Sequence, residues 1–493
     1  MGDDNRFGKF RWRPLERFVL QQGSKYRAID SGKRPLHNSA SRERETIYVS
    51  SVDTLVAMCL ETRLLAAKAP LFQESPSLAQ FVLGTEDMKH AYRQCPVAPE
   101  HLCVSCVCYW DTSARDHRYL ILRGLPFGLS SSVLSFNRLP TMLTALARRT
   151  CAAGALAFFD DAGIFDLLCA RGSAQAALRL IYQLAGAQLD PTKSQPPAAC
   201  RVFLGLSINL AVAFRQNQVS FDLKPGYRRE IFEFVQAIFL EGRLGSGNAA
   251  KLRGKFGWAA TGTFGRCGRG GLAPLVRRQY HDDTDLLTPS LADCLTFHAT
   301  LAEWVPPRLA LLRHVAPPPV RVYSGASFEL QASTQARLGF VVFPASTSVT
   351  PVGMSVDVPV DVLAQLVPRQ QQIAVCEAVL GVVVPYNVPH LLSGCDVIWY
   401  IDNQSACQLL VKGSSSHEDM SVVAALTHLM LARLGCRVYF EYIESEANPS
   451  DGLSRDGLLD SWTQAQGWTL LQAELPPFLH GAFDSLSAAL CLV

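Results

Sequence analysis

The 493-residue sequence lacks the features that assign a chain to several common classes. It contains no convincing repeat of about 20 to 50 residues, which argues against solenoid and propeller architectures. Its 15 cysteines follow no regular framework, and no cleavable signal peptide precedes them. We therefore expect reduced thiols in an intracellular protein rather than a disulfide-stabilised secreted domain.

Long apolar runs are also scarce. Residues 378–395 contain no Lys, Arg, Asp or Glu and are long enough to raise the question of a membrane span. Two prolines, Pro385 and Pro389, together with Asn387 and His390, argue against a helix that faces lipid. We expect a buried helix followed by a turn, and no membrane partner.

The charge is small overall but uneven along the chain. A net charge of +3 does not by itself indicate nucleic-acid binding. Residues 1–46 hold eleven Lys and Arg against six Asp and Glu, and residues 224–280 hold eleven against three. This pattern predicts two basic surfaces. With 48% hydrophobic residues the chain is globular, and its length predicts about three or four domains.

Three aspartates are the strongest candidates for chemistry. Asp160 and Asp161 lie between apolar residues, a pattern that predicts a tight β-hairpin with both carboxylates at its tip. Adjacent carboxylates need a cation, and hard oxygen ligands suit Mg²⁺ or Mn²⁺. Asp87, from another segment, would complete a two-metal site for phosphoryl or nucleotidyl transfer. An Asp-Asp pair taken alone is more often a solvated turn.

Helices and strands alternate around these aspartates. Before residue 215 the spacing predicts a helix over 54–69, a strand entering a helix over 81–97, a hairpin over 101–122, helices over 131–149 and 174–187, and a strand pair around 203–206. Prolines at 306–307 and 317–319 then bracket a linker. Beyond it, the pattern predicts an α/β domain with strands at 321–323, 338–343 and 397–401 and a helix near 370–383.

Several short motifs, taken in order, resemble the reverse transcriptase and RNase H region of retroelement polyproteins of the Gypsy and DIRS kind. They are Asp87–Arg93, Leu125–Ser131, Phe158–Asp161, Lys193 and Phe203–Gly205. The resemblance covers about residues 25–455. It implies an α+β right-hand polymerase with fingers, palm and thumb, followed by an α/β RNase H-like domain.

The resemblance also implies how the chain is divided. The expected segments are fingers and palm over 1–215, a helical basic thumb over 216–282, a connection over 283–317, the RNase H-like domain over 318–458 and a C-terminal tail over 459–493. The sequence has no protease or integrase signature, so we expect other polyprotein domains among its partners.

In the polymerase part, the resemblance implies a role for each motif residue. Asp87, Asp160 and Asp161 would hold the Mg²⁺ or Mn²⁺ ions, the last of them assisting electrostatically. The residues expected to contact the nucleotide are Arg27, Tyr92, Phe127, Gly128 and Lys193, and those of the primer grip are Phe203, Leu204 and Gly205. Tyr92 would exclude a ribose 2′-hydroxyl. The implied partners are an RNA template, a DNA primer, the RNA–DNA hybrid and deoxynucleoside triphosphates (dNTPs).

The implied thumb carries basic residues that would neutralise phosphates without reading bases. They are Lys251, Arg253, Lys255, Arg266 and Arg269. The Gly-Arg repeats over 265–270 also fit a flexible loop. We expect a sequence-independent, salt-sensitive contact with nucleic acid.

In the second domain, Glu377, Asp402 and Asp451 match three of the four carboxylates of an RNase H site. Where the family has its first Asp, this chain has Ser324 or Gly325, depending on the alignment. Losing that carboxylate should leave one metal site under-coordinated. We therefore expect the fold to persist with RNase H activity impaired or lost.

Other functions stay open beside this interpretation. A noncatalytic nucleic-acid scaffold, decayed or domesticated, would keep the fold without the activity. Tyr92 disfavours an RNA-dependent RNA polymerase. A zinc site is disfavoured because no second ligand pair follows the first at a suitable distance. Its ligands would be His101, Cys103, Cys106 and Cys108.

Overall fold

The computed structural model describes residues 7–8, 11–22, 25–42, 45–304, 306–313, 315–329, 335–479 and 485–492. The chain forms two compact units, residues 1–220 with 309–312 and residues 221–308 with 313–493. Within the described ranges, no helix has the length and apolarity needed to span a bilayer. The finer division into five segments stays a prediction.

The first unit contains two four-stranded sheets and three long helices. Its strands are β1 (Pro14–Gln22), β2 (Lys25–Ser31), β3 (Phe81–Asp87), β4 (Cys106–Asp111), β5 (Asp116–Ile121), β6 (Gly154–Phe158), β7 (Asp161–Leu167), β8 (Gln195–Ala198), β9 (Cys200–Phe203) and β10 (Leu206–Asn209). Its long helices are α1 (Val52–Lys68), α2 (Ser130–Cys151) and α3 (Ser173–Leu184). The sheets have the orders β2-β1-β4-β5 and β6-β7-β3-β8, and β9 and β10 pair as an antiparallel hairpin that belongs to a further sheet.

The sheet β6-β7-β3-β8 forms the centre of this unit. All residues of β3 are buried, as expected for a strand with neighbours on both sides. β3 pairs antiparallel with β7, and the register sets Asp87 opposite Asp161. The polar ends of the two central strands therefore meet at one end of the sheet.

Helix α2 covers this sheet with one apolar face. Its buried residues Phe136, Pro140, Leu143 and Ala147 recur at the three- and four-residue spacing of an amphipathic helix. With α3 residues Leu178 and Tyr182 and sheet residues such as Ile164, these side chains belong to one core cluster. The predicted helices over 131–149 and 174–187 and the β4–β5 hairpin are confirmed.

The second unit begins with helices and continues into a six-stranded sheet. Its helices of seven or more residues are α4 (Tyr227–Glu241), α5 (Ser246–Ala259), α6 (Ala273–Tyr280), α7 (Pro289–Trp304), α8 (Ile373–Asn387), α9 (Gln404–Lys412), α10 (Glu418–Arg433) and α11 (Leu486–Leu492). Two strands lie where the chain passes between the units, namely β11 (Gln218–Leu223) and β12 (Arg308–Leu311). The sheet strands are β13 (Val320–Phe328), β14 (Ala336–Phe343), β15 (Val352–Asp357), β16 (Asp396–Ile401), β17 (Arg437–Tyr442) and β18 (Thr469–Gln472).

The six strands have the order β17-β16-β13-β14-β15-β18. β13 is antiparallel to β14 and parallel to β16, so the sheet is mixed. This α/β domain, following an α+β unit, confirms the predicted fold class. The sheet also includes β18, which lies beyond residue 458, because β18 pairs in parallel with β15.

The uncharged stretch 378–395 forms most of α8 and a short helix after it, Pro389–Leu392. All α8 residues from Val375 to Pro385 are buried. A Cβ on Gly381 would lie 2.5 Å from the Thr427 hydroxyl oxygen, so α8 and α10 pack closely there. The expected buried helix and turn are confirmed.

Candidate active site

The three aspartates meet at the edge of the central sheet. Asp161 begins β7, Asp160 lies in the two-residue turn between β6 and β7, and Asp87 ends β3. The Met88 amide donates to the Asp160 carbonyl oxygen at 3.0 Å, which ties the turn to the end of β3. Phe159 occupies the left-handed region at φ 53°, a conformation that costs a residue with a side chain about 1 kcal/mol or more. The predicted hairpin and its third carboxylate are therefore both present.

Negative charge dominates the electrostatics of this cluster. Burial, and secondly the neighbouring Asp160 and Asp87 carboxylates, raise the pKa of Asp161 to about 6. Burial also raises the pKa of Asp160, with the charge of Asp87 adding to the effect. Neighbouring carboxylates in a partly buried site resist ionisation because their negative charges repel one another.

The ammonium group of Lys193 faces the cluster. Its Nζ atom lies 2.8 Å and 2.9 Å from the two carboxylate oxygens of Asp87, which is itself 8% exposed. In the part of the chain that the structure describes, no group of three or more His, Cys, Asp or Glu side chains is arranged to hold a metal. The donor chemistry of the aspartates fits a divalent cation, but Asp87 is engaged by Lys193 in this arrangement.

The β9–β10 hairpin supports the aspartate hairpin from behind. Its turn residues Leu204 and Gly205 both have positive φ, 52° and 72°, as a two-residue hairpin turn requires. The ring of Phe203 packs on Gly163, where an added Cβ would lie 2.8 Å from the ring. Gly163 follows Asp161 by two residues, so the expected primer-grip segment contacts the strand that carries the acids.

Tyr92 lies in a cluster of aromatic rings. It stacks on Phe136, with ring centroids 4.5 Å apart, and is tilted against Phe127 at 4.9 Å. Burial and then the charge of Asp160 raise the pKa of its phenol, so the ring lies near the acidic cluster. Arg93 lies over the other aromatic partner, 5.3 Å from the Phe127 ring centroid. These contacts fix the orientation of Tyr92.

Gly128 and Asp30 reveal a packing that the sequence did not disclose. A Cβ on Gly128, which has φ 88°, would collide with the Asp30 carbonyl oxygen, so only glycine fits there. The Asp30 carboxylate is fully buried and accepts from Arg17 at 2.8 Å and Arg93 at 2.6 Å. The guanidinium groups of Arg17 and Arg93 thus hold β2 against the segment that contains Tyr92. Because these partners are distant in the sequence, no local sequence pattern predicts their pairing.

Glu86 is a second buried acid that sequence reasoning missed. It is 2% exposed and its carboxylate accepts from Arg179 at 2.6 Å and from the Ser194 hydroxyl at 3.1 Å. Because successive residues of a strand point to opposite faces, Glu86 faces away from Asp87. The two adjacent acids at the end of a predicted strand were the available sequence signal for this site. They must face opposite sides of the sheet, so the acid that faces away from Asp161 needs a basic partner on its own side.

Arg27 and the cysteine-rich segment lie apart from this arrangement. Arg27 lies exposed on β2 and, among the described residues, makes no hydrogen bond or ion pair with the aspartates. Cys106 is buried in β4 and donates its S–H to the Leu102 carbonyl oxygen, and Cys103 donates to the Glu100 carbonyl oxygen. A zinc site over 101–108, disfavoured by the sequence, has no support in the described residues.

The basic residues expected in the thumb divide into two groups. On α5, Lys255 pairs with Glu230 at 3.0 Å, Arg253 lies over the Tyr280 ring, and Lys251 is exposed. In the Gly-Arg segment, Arg269 donates to the Lys412 carbonyl oxygen at 3.2 Å. Arg266 is exposed as a whole residue. Partial burial of its guanidinium group, and secondly the positive charge of Arg269, lower the pKa of that group.

The Gly-Arg segment packs against the α/β sheet helices within the second unit. Gly270 has no room for a Cβ because the Ser421 carbonyl oxygen of α10 lies against it. Cys267 is buried and its S–H donates to the His428 carbonyl oxygen at 3.1 Å. The glycines of this segment therefore permit close packing, and the alternative of a flexible loop does not account for them.

In the α/β domain, the buried Glu377 and the half-buried Asp402 form a carboxyl pair. Burial, and then the charge of Asp402, raise the pKa of Glu377 to about 9. Glu377 Oε2 and Asp402 Oδ1 have no hydrogen-bond partner among the described residues. A Cβ on Gly325 would lie 3.4 Å and 3.5 Å from the two Asp402 carboxylate oxygens. Gly325 is therefore the β13 residue that lies beside the Asp402 carboxylate, and it supplies no carboxylate there.

Ser324 faces the opposite side of the sheet. Its hydroxyl oxygen accepts from Trp399 Nε1 at 2.8 Å in a fully buried contact. Asp451 begins the short helix Asp451–Arg455 and is paired with Arg455 at 3.0 Å. Because Gly325 supplies no carboxylate beside Asp402, the residues present do not complete a two-metal site.

No protein-family model and no curated protein matches this chain. Among solved structures, the chain is similar to a foamy viral protease-reverse transcriptase dRH in complex with double-stranded DNA, with 14% identity and a TM-score of 0.45 over 87% of this chain and 65% of that one. A second complex of the foamy viral protease-reverse transcriptase with double-stranded DNA gives 14% identity and a TM-score of 0.43 over 87% and 78%. Its complex with an RNA/DNA hybrid gives 10% and 0.40 over 90% and 73%. The chain thus spans 65% of the length of the first of these proteins.

Proposed function

We propose that this chain is an RNA-directed DNA polymerase of a retroelement that adds deoxynucleotides to a primer 3′-hydroxyl. The observation that carries the proposal is the meeting of Asp87, Asp160 and Asp161 at one end of the central sheet, where their negative charges repel one another. The aromatic contacts of Tyr92 beside that cluster support a shaped nucleotide pocket. The reduced thiols of the described cysteines fit an intracellular protein.

The aspartates would hold Mg²⁺ or Mn²⁺ in this activity. When bound, such ions lower the pKa of the attacking 3′-hydroxyl and neutralise charge on the leaving pyrophosphate. The chain's own residues do the positioning. Phe203 holds β7 in place from behind, and the Asp160 turn is tied to β3 through the Met88 amide.

The Tyr92 ring supplies selectivity for the sugar in this proposal. Its stacking on Phe136 and contact with Phe127 leave it little freedom to move aside. A rigid ring under the sugar of the incoming nucleotide would clash with a 2′-hydroxyl and accept a deoxyribose. The proposed substrates are therefore dNTPs, an RNA template and a DNA primer.

The direct test is primer extension on an RNA template with Mg²⁺, with hybrid degradation followed in the same tube. The wild-type chain should extend the primer, and Asp160→Asn should reduce extension by at least about 10³-fold, since it removes one of the expected metal ligands. Asp283→Asn, at an exposed position of the second unit, should leave extension unchanged. Equal extension by wild type and Asp160→Asn would contradict the proposal.

A noncatalytic nucleic-acid scaffold is the second candidate. Gly325 favours it, because no carboxylate is present at this position beside the Glu377–Asp402 pair. In that case the chain would bind a primed template with a salt-sensitive affinity, and neither strand would be extended or cut. For the polymerase, we expect extension with little or no hybrid degradation, so the extension product separates the two candidates.

A further inference from the structure

The contact between Lys193 and Asp87 is part of a built arrangement. Residues 188–193, here called the lysine arm, are held along the end of β3 by backbone hydrogen bonds to Asp87 and Lys89, on either side of Met88. The Asp190 amide donates to the Asp87 carbonyl oxygen at 2.8 Å, and the Lys89 amide donates to the Gln188 carbonyl oxygen at 2.9 Å. The backbone of the arm therefore brings Lys193 to Asp87, unlike a surface ion pair formed by two mobile side chains.

Side chains reinforce the lysine arm at both of its ends. The Gln94 amide nitrogen donates to the Gln188 carbonyl oxygen at 2.9 Å, and the Gln94 amide oxygen accepts from the Gln188 amide at 2.6 Å. At the other end, the Asp190 carboxylate accepts from the Thr192 amide at 3.0 Å and its hydroxyl at 2.7 Å. The turn before Lys193 is thus fixed, while its own side chain stays 57% exposed and free to leave.

The charges explain why the lysine is there. Asp87 is nearly buried and faces Asp161 across the strand pair, with Asp160 in the adjoining turn. Without a cation, carboxylates in such an arrangement repel one another and resist ionisation. A single ammonium group bound by both oxygens of Asp87 offsets part of that repulsion, and it engages the oxygens that a metal would need.

We propose that Lys193 is an internal counter-ion that occupies the cation position of Asp87 in the metal-free chain and is displaced when a divalent metal binds. This inference rests on the proposed function and describes the regulation of the same site. Once displaced, the ammonium group remains at the rim of the site on its fixed arm. In that position it would supply a positive charge to the phosphates of a bound nucleotide.

The proposal predicts that one substitution, Lys193→Gln, strengthens metal binding and weakens nucleotide binding. Lys193→Gln removes the competing charge, so the metal-free protein should bind Mn²⁺ about tenfold more tightly, which corresponds to about 1.4 kcal/mol. The same variant loses a charge for the triphosphate, so its KM for a dNTP should rise severalfold. A residue with a merely structural role would weaken both.

The test is a titration of the full chain with Mn²⁺ alone, with free Mn²⁺ measured by electron paramagnetic resonance. Lys89→Gln removes an equal charge from an exposed neighbour of the arm and should change the Mn²⁺ affinity by less than about twofold. Lys193→Arg keeps the charge and should bind Mn²⁺ like the wild type. Asp87→Asn should lose Mn²⁺ binding in every background.

The outcomes separate this inference from the proposed function. Tighter Mn²⁺ binding by Lys193→Gln alone supports the counter-ion. Equal or weaker binding by Lys193→Gln, with a wild type that still binds Mn²⁺ through Asp87, overturns the counter-ion and leaves the polymerase proposal standing. A chain in which neither the wild type nor Lys193→Gln binds Mn²⁺ fails both proposals.

Discussion

At the scale of single residues, the central feature is the crowding of negative charge beside a fixed aromatic ring. Asp161 resists ionisation because of its burial and because Asp160 and Asp87 lie beside it. Tyr92 is held between Phe136 and Phe127 at the side of this cluster. In the proposed activity, the acids determine whether the chemistry occurs, and the ring determines which sugar is accepted.

Replacing Tyr92 tests the second of these roles. Tyr92→Ala should raise incorporation of ribonucleotides relative to deoxynucleotides by about tenfold or more, because the surface that clashes with a 2′-hydroxyl is removed. Tyr92→Phe keeps the ring and its stacking on Phe136, so it should discriminate like the wild type. The measurement is the ratio of kcat/KM for a matched ribonucleotide and deoxynucleotide. An unchanged ratio in Tyr92→Ala would remove Tyr92 from sugar selection.

At the scale of secondary-structure elements, the site depends on two hairpins packed against each other. The turn of one carries Asp160, and the strand of the other ends at Phe203, whose ring packs on Gly163. The hairpins and the helix α2 could be predicted from local patterns of apolar and turn residues. Their contact could not, because a glycine beneath a ring is visible only when both strands are placed.

Removing the Phe203 ring tests this contact. Phe203→Ala should lower the free energy of unfolding by about 3–5 kcal/mol and, at temperatures where the chain is still folded, should reduce primer extension as well. Phe81→Ala empties an equally buried site at the far end of β3 and should lose similar stability with a smaller loss of extension. The measurements are thermal denaturation and extension rate. Equal losses of extension in both variants would show that Phe203 acts through stability alone.

At the scale of the whole molecule, the second unit combines buried ionisable groups whose pKa values move in opposite directions. Burial lowers the pKa of His298 to about 3 and, with Arg266 and Arg269 nearby, that of His428 to about 4. Burial and Asp402 raise the pKa of Glu377 to about 9. The helical segment and the α/β sheet belong to one compact unit, so we expect these groups to affect the same unfolding transition.

These pKa values predict how stability depends on pH. Below the ordinary histidine pKa of 6.5, the unfolded chain takes up protons that His298 and His428 refuse in the fold, so stability falls as the pH falls. Above the ordinary glutamate pKa of 4.5, the unfolded chain releases a proton that Glu377 keeps in the fold, so stability falls as the pH rises towards 9. Because the two histidines together outweigh the single glutamate below pH 6.5, the second unit should be most stable near that pH.

Thermal denaturation between pH 4 and pH 9 checks this dependence. Glu377→Gln keeps the shape and removes the titration, so its melting temperature should decline less between pH 6.5 and pH 9 than that of the wild type. Each pKa unit by which a group differs between the folded and the unfolded chain changes the free energy of unfolding by about 1.4 kcal/mol at most. A wild type and a Glu377→Gln variant with parallel alkaline limbs would contradict a raised pKa of Glu377.

The sequence by itself determined the main elements around the candidate site and predicted its chemistry. Apolar periodicity placed α2, α3 and the hairpins, and the residue types around Asp160 and Asp161 indicated a cation-dependent acid cluster. The tertiary structure decided that Lys193 engages Asp87, that Asp30 and Glu86 are buried, and that Gly325, not Ser324, lies beside Asp402. The reason is physical. A local sequence pattern shows whether a segment is a helix or a strand, whereas the pairing of strands determines which residues about a hundred positions apart come into contact.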